Sequence, residues 1–215
     1  MRLTRMGSFF PTRLSFMRSL IRRLNAEQAQ VTRPVWEINA QGYGRAVYSV
    51  PLGGHTYSLI AFAHDLPADK RSDRVIAEAW DATFTLFDGV PTADDIKRLS
   101  QNIPLQEAGR VSASEISVSR ANRSVRLWAH FVDTLAAGQQ PDPEKIADVG
   151  YLMRTTAVYG NGKFGIADRA RIAGRPGLSG PFMAEMLSVW LTRGFTHDLV
   201  EHVGGATLAP ELKRH

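Results

Sequence analysis

Cysteine is absent from all 215 residues. That single absence excludes disulfides, thiolate metal sites and cysteine nucleophiles together, and it suits a reducing compartment. Long apolar runs are missing too. The longest, Leu59-Ile60-Ala61-Phe62-Ala63, falls far short of the roughly 18–20 residues of a spanning helix and has the length of a buried strand. Arg13 and Arg18 interrupt the place where a secretory apolar region would lie, and no small-residue cleavage site follows. A soluble, cytoplasmic protein is expected. No G-x-S-x-G occurs, so a serine-hydrolase elbow is not indicated.

Negative charge is scarce at one end only. The net charge is +5, yet residues 1–30 hold six arginines against the single acid Glu27. The remaining chain therefore carries 20 basic and 20 acidic residues. A neutral body removes the global electrostatic argument for nucleic-acid binding, which is not expected. With 44% apolar and 22% charged residues, the chain can bury a core without staples, and its length suits one domain.

Pro11 can open a helix at its first turn. Leu14, Met17, Leu20, Ile21 and Leu24 then share one arc at helical spacing, with Arg18, Arg22 and Arg23 opposite. This basic amphipathic helix (residues 1–31 with its flanks) fits docking on the core or on a partner chain. That makes a homo-oligomer or partner contact through residues 11–24 a candidate. A membrane-surface helix or a transit-type segment are the alternatives.

Residues 32–215 read as a single α+β domain, with strands over about 34–88 and helices over about 92–204. "PVWEINA", "YGRAVYSVPL" and "HTYSLIAFAH" are rich in β-branched and aromatic residues, and Gly53-Gly54 between the last two signals a hairpin. "RVIAEAWDATFTLFDG" (74–89) alternates as a long fourth strand, with a helix as the alternative for its first half. The result is an antiparallel meander of about four strands, needing a cover on one face. Thr92, Asp94 and Asp95 start a short helix that Pro104 ends. "SASEISVSRANRSVRLWAHFVDTLAAG" (112–138) is expected as a helix with a Val125, Trp128, Phe131, Val132, Leu135 stripe and a stop at Gly138. Pro143 opens a further helix through Met153 to Thr156. Pro181 opens the last, with Met183, Met186, Leu187, Trp190 and Leu191 on one face.

"VYGNGKFGIADRAR" (158–171) contains G-x-G-x-x-G at Gly160, Gly162 and Gly165. The context for a dinucleotide fold is missing, because about 50 residues remain and Gly174, Pro176, Gly177 and Gly180 break the required helix. A kinase loop needs a lysine on a following strand, and the next lysine after Lys163 is Lys213. Walker A fails at Ala157 and Phe164. The plainer reading is a helix end with Gly160 in a left-handed cap.

Charge is more informative. Arg154, Lys163, Arg169, Arg171 and Arg175 surround the loop against Asp168 alone, and Arg110, Arg120, Arg123 and Arg126 form a second cluster against Glu115. Guanidinium forks suit carboxylates and phosphates, and glycine backbones expose N–H groups to an anion. If the clusters converge, they form a pocket for a small anionic molecule: phosphate, nucleotide or carboxylate. The expected contacts are Arg123, Arg126, Arg154, Lys163 and Arg169, with backbone from Gly160 and Gly162. His130 or Asp168 would be the general acid or base of an enzyme of unassigned reaction. The alternative is that both clusters are solvated faces, or pair with Asp133, Asp148 or the nine acids of residues 65–107. A non-enzymatic interaction module docking through the N-terminal helix is the competing class. His197, Asp198, Glu201 and His202 lack paired-histidine spacing, so no metal is expected there. The sequence names no cofactor.

"SRANRSVRLW" and "YLMRTTAVYGNGKFGIADR" resemble stretches of an uncharacterised bacterial protein family of longer chains. The resemblance brings no activity. It implies that the two arginine-bearing stretches belong together and that this chain is the N-terminal portion of a longer protein.

Overall fold

The computed structural model describes residues 13–71, 79–102, 111–124, 127–145, 153–158, 172–178 and 180–204. Helix α1 (Arg13–Ala26) leads into strands β1 (Thr32–Ile38), β2 (Gly44–Leu52) and β3 (His55–Ala63). A turn of 3₁₀ helix (Ala68–Lys70) precedes β4 (Ala82–Asp88) and helix α2 (Ala93–Leu99). Then come β5 (Glu115–Arg123), α3 (Trp128–Ala136), β6 (Met153–Val158) and α4 (Pro181–Gly204). The strands form one antiparallel sheet in sequential order, β1 to β6. The α+β expectation holds, with six strands in place of four.

Strand alternation divides the apolar residues between two faces. Tyr48, Val50, Leu52, Tyr57, Leu59, Phe84 and Leu86 face α1 and α4, where Leu20, Leu24, Met183, Leu187, Leu191 and Phe195 complete the larger core. Val47, Ile60, Phe62 and Phe87 lie on the other face, beneath Ile96 and Leu99 of α2. α2 starts where Thr92 and Asp95 close a reciprocal capping box. Phe195 is the aromatic centre of the main core, meeting the rings of Trp36, Tyr48 and Phe84 from three strands. Asp198 accepts from the Tyr48 hydroxyl and from Arg33, tying the later turns of α4 to β1 and β2. Burial and that carboxylate together push the Tyr48 phenol well up.

The β2–β3 loop is Gly53-Gly54, both at positive φ (64° and 75°), as a two-residue primed turn requires. A Cβ on Gly53 would stand 2.7 Å from the Gly177 backbone nitrogen. The hairpin tip thus needs glycine for close approach as well as for its turn.

Several elements differ from expectation. Residues 115–123 are a strand, and among the described residues of the predicted 112–138 helix only 128–136 is helical. β4 offers an unpaired edge that the serine- and β-branched-rich segment from Glu115 can satisfy, and that pairing outweighs the helical stripe beginning at Val125. Met153–Val158 is likewise a strand, because β5 has a second edge to fill. A strand, and no helix, therefore runs up to Val158, two residues before Gly160. β4 is shorter than predicted, and residues 72–78 lie outside the described residues. On α1, Leu20 and Leu24 are buried against the chain's own core, while Ile21, assigned to the apolar face, is 48% exposed. A partner on this helix would meet Arg18, Ser19, Ile21 and Arg22. Among the described residues, no helix is long and apolar enough to cross a membrane.

Phe195→Ala should cost about 3–5 kcal/mol of unfolding free energy, measured by urea denaturation. A loss below about 1 kcal/mol would mean that α4 is held by its polar ties and not by this ring.

Candidate functional site

Antiparallel pairing sorts the polar side chains to two ends of the sheet. One end holds Gly44, Ala63, Ala82, Arg123 and Met153; the other holds Leu52, His55, Asp88, Glu115 and Val158. Glu115, the acid expected to offset Arg120 and Arg123, sits at the far end of the nine-residue β5 from Arg123. That is about 26 Å along an extended strand. There it is fully buried, accepts from Arg98 at 2.5 Å, and accepts from the Ser112 hydroxyl at 3.0 Å. It does not neutralise the arginines at the Arg123 end.

At that end the focus is Asp81, only 1% exposed. Its carboxylate accepts from Arg71 Nε at 3.0 Å and from the Arg123 backbone N–H at 2.8 Å, with Arg123 Nε at 3.9 Å. Its own N–H donates to Asn122 Oδ1 at 3.0 Å, and its carbonyl accepts from the His64 N–H at 2.8 Å. One buried carboxylate thus serves two guanidinium groups. The Arg123 guanidinium also lies 5.4 Å from the Tyr43 ring centre and 5.1 Å from that of Trp128, a cation–π contact on two rings. Tyr43 is held by the β1–β2 turn, where Asn39 Oδ1 accepts from the Gln41 and Tyr43 N–H groups at 3.1 and 2.9 Å.

Beside this focus runs a cross-strand row: Arg45, Phe62, Thr83, Arg120 and Thr156 are successive partners on β2 to β6. Arg120 is buried and lies over the Trp80 ring at 4.8 Å. Asn102 holds Trp80 by two backbone bonds, accepting at 3.0 Å and donating at 2.8 Å. The Trp80 indole N–H and the Ser124 hydroxyl are buried without a hydrogen-bond partner among the described residues. In the same region an open groove of about 440 Å³ is lined by residues including Asn39, Tyr43, Phe62, His64, Asp65 and Ser100. His64 is fixed by Thr83 Oγ1 at 3.0 Å from Nε2 and by stacking on Phe62 at 6.0 Å. Burial holds its imidazole below the ordinary value, against the opposing pull of Asp81.

Of the predicted contacts, Arg123 is at this focus, and the backbone of Arg154 pairs with Asn122. One member of each arginine cluster therefore belongs to the same end of two adjacent strands. From Arg154, β6 runs on to its end at Val158. Arg126, Gly160, Gly162, Lys163, Asp168 and Arg169 lie outside the described residues. Arg175, from the loop cluster, is at the opposite end, where it pairs with Asp88 and donates to the Ala113 carbonyl at 2.8 Å. Asp88 also bonds His55. Two acids of residues 65–107, Asp81 and Asp88, thus answer clustered arginines as structural partners. His130 Nε2 accepts from the Asp142 N–H at 3.1 Å and fixes the chain after α3. His202 Nε2 donates to the Asn39 carbonyl at 2.9 Å, and Asp198 is engaged on β2, so this segment docks a helix. Among the described residues, no group of three or more potential metal ligands is found.

Arg71, Asp81, Trp80 and Tyr43 were not singled out from sequence. Asp81 stood inside the alternating strand pattern, and nothing local distinguishes an acid that will be buried between two distant arginines.

Asp81→Asn should cost roughly 3 kcal/mol in chemical denaturation, because two guanidinium groups lose their buried counter-charge. His64 supplies a pH test. Its folded form binds a proton less readily than the unfolded chain, so its contribution is complete above about pH 6.5 and falls away as pH drops toward its own lowered value. His64→Gln should flatten that part of the stability–pH curve; an unchanged slope between about pH 7 and 5 would show that His64 titrates normally. No family model matches this chain, and neither the curated proteins nor the solved structures include a significant match to it.

Proposed function

We propose that this chain binds a small anionic molecule, a phosphate, nucleotide or carboxylate, at the arginine-lined end of its sheet. The observation that carries the reading is the charge balance around Asp81. Arg71 and Arg123 share this one carboxylate, and the Arg154 backbone pairs with Asn122 beside them. The acid nearest in sequence to these β5 arginines, Glu115, is engaged at the other end of the strand. Among the described residues, a second guanidinium on a single buried carboxylate leaves positive charge in a setting of low dielectric, where an anion is bound more strongly than at an open surface. Two buried polar groups without a partner among the described residues, at Trp80 and Ser124, support the same reading, since buried polar groups are ordinarily paired. No reaction is assigned.

A thermal-shift series with inorganic phosphate, ATP, coenzyme A and citrate tests the proposal. At ten times its Kd, a ligand adds about 1.4 kcal/mol of stability, or about 3–5 °C for a chain of this size. Arg71→Ala should reduce the shift for the active ligand by at least half while leaving the fold intact. Flat melting curves for all four compounds overturn the reading.

A further inference from the structure

The groove next to the arginine focus bears on what kind of anion is bound, and its use as a ligand site rests on the anion-binding proposal for that focus. We infer that the ligand is a hydroxyl-bearing organic anion of the sugar-phosphate class. Its charged group lies at the Arg71–Asp81–Arg123 edge, and its polyol body lies in the groove between the β2–β3 end and α2.

Tyr43 joins the two parts. It lines the groove, and its ring also stands 5.4 Å from the Arg123 guanidinium. A bare inorganic ion needs only the arginine edge, whereas the groove of about 440 Å³ is in the range that accommodates a small organic ligand. The lining chooses among organic bodies. Phe62, Ala63 and Tyr43 among the lining residues bring apolar groups to the groove, which suit the C–H face of a sugar-like ring. Asp65, Glu37, His64 and Ser100 add hydrogen-bonding side chains around that surface. Carboxylates accept only, so the two acids select a body rich in donors, which hydroxyl groups supply and an alkyl chain does not. His64 Nε2 is engaged with Thr83 Oγ1 at 3.0 Å, so Nδ1 is the ring nitrogen offered to a ligand. Glu37 accepts from Arg45 Nε at 2.6 Å on the β1–β2 side of the groove.

Isothermal titration of the full chain with inorganic phosphate, hexyl phosphate and glucose 6-phosphate separates the possibilities. Glucose 6-phosphate should bind at least about tenfold more tightly than either comparator, because a site built to bond hydroxyl groups discriminates against an analogue lacking them. Ser100→Phe places a ring over the groove from an exposed position, and should remove that advantage while leaving phosphate binding unchanged. Asp65→Asn, also at an exposed position, should lower the ratio of glucose 6-phosphate to phosphate affinity severalfold. Phosphate binding with no gain from the sugar, or a gain that survives both substitutions, overturns the groove inference and leaves the anion reading standing. Tightest binding by hexyl phosphate overturns the hydroxyl-bearing class. Failure of all three compounds to bind removes the anion reading itself.

Discussion

The packing of α4 across the larger face of the sheet is the contact on which the rest of this molecule depends. An antiparallel sheet with one apolar face has no independent stability until that face is covered. Phe195 sits against rings from β1, β2 and β4, while Leu187 and Leu191 join the same core from the preceding turns. Ser188 reaches β5 through the Ser117 hydroxyl at 2.7 Å, and Asp198 reaches β1 and β2. One helix therefore contacts four strands. α1 completes the cover by adding Leu20 and Leu24 to the same core.

With the sheet held in this way, its two ends become chemically different places. At the hairpin end, ion pairs are locally matched: Arg98 with Glu115, Arg175 with Asp88, Arg23 with Glu27. The hydroxyl of Tyr57 donates to the Pro176 carbonyl at 2.5 Å, and Arg23 Nη1 donates to the Gly177 carbonyl at 3.1 Å. These contacts fasten the segment before α4 to the β2–β3 tip, which is a structural task. At the opposite end, Asp81 is shared by two arginines and flanked by buried donors and a groove. The first arrangement closes on itself. The second places two guanidinium groups on one carboxylate among the described residues, and the proposed anion site rests on that contrast.

The legible parts of the fold were those whose signal is local. The first three strands are legible in β-branched and aromatic runs, the Gly53-Gly54 turn in its glycine pair, α2 in Thr92 with Asp94 and Asp95, and α4 in an apolar stripe behind Pro181. The parts that misled were those whose state depends on a distant neighbour. Ile116 and Val118 alternate with serines in a way that suits a strand, but the longer stripe from Val125 onward suggested one continuous helix. Only the open edge of β4 resolves that ambiguity. Met153–Val158 is the same case on the next edge. The arginine spacing inherited the error: 120 and 123 share a helical face, whereas in a strand they alternate. Arg120 thus went to Trp80 and Arg123 to Tyr43 and Trp128.

Composition and periodicity were enough to establish a cysteine-free α+β chain with a neutral body, a basic first helix and arginines concentrated in two stretches. Those properties depend on residue type and short spacing, which a linear chain displays directly. Which carboxylate meets which arginine was decided by strand register, since a one-residue change in pairing exchanges the faces of every side chain. Register brought Asp81 from one strand end to Arg123 on the next, carried Glu115 to the far end, and set Arg154 against Asn122. Long-range pairing of this kind leaves no local mark, because its energy resides in the partner strand.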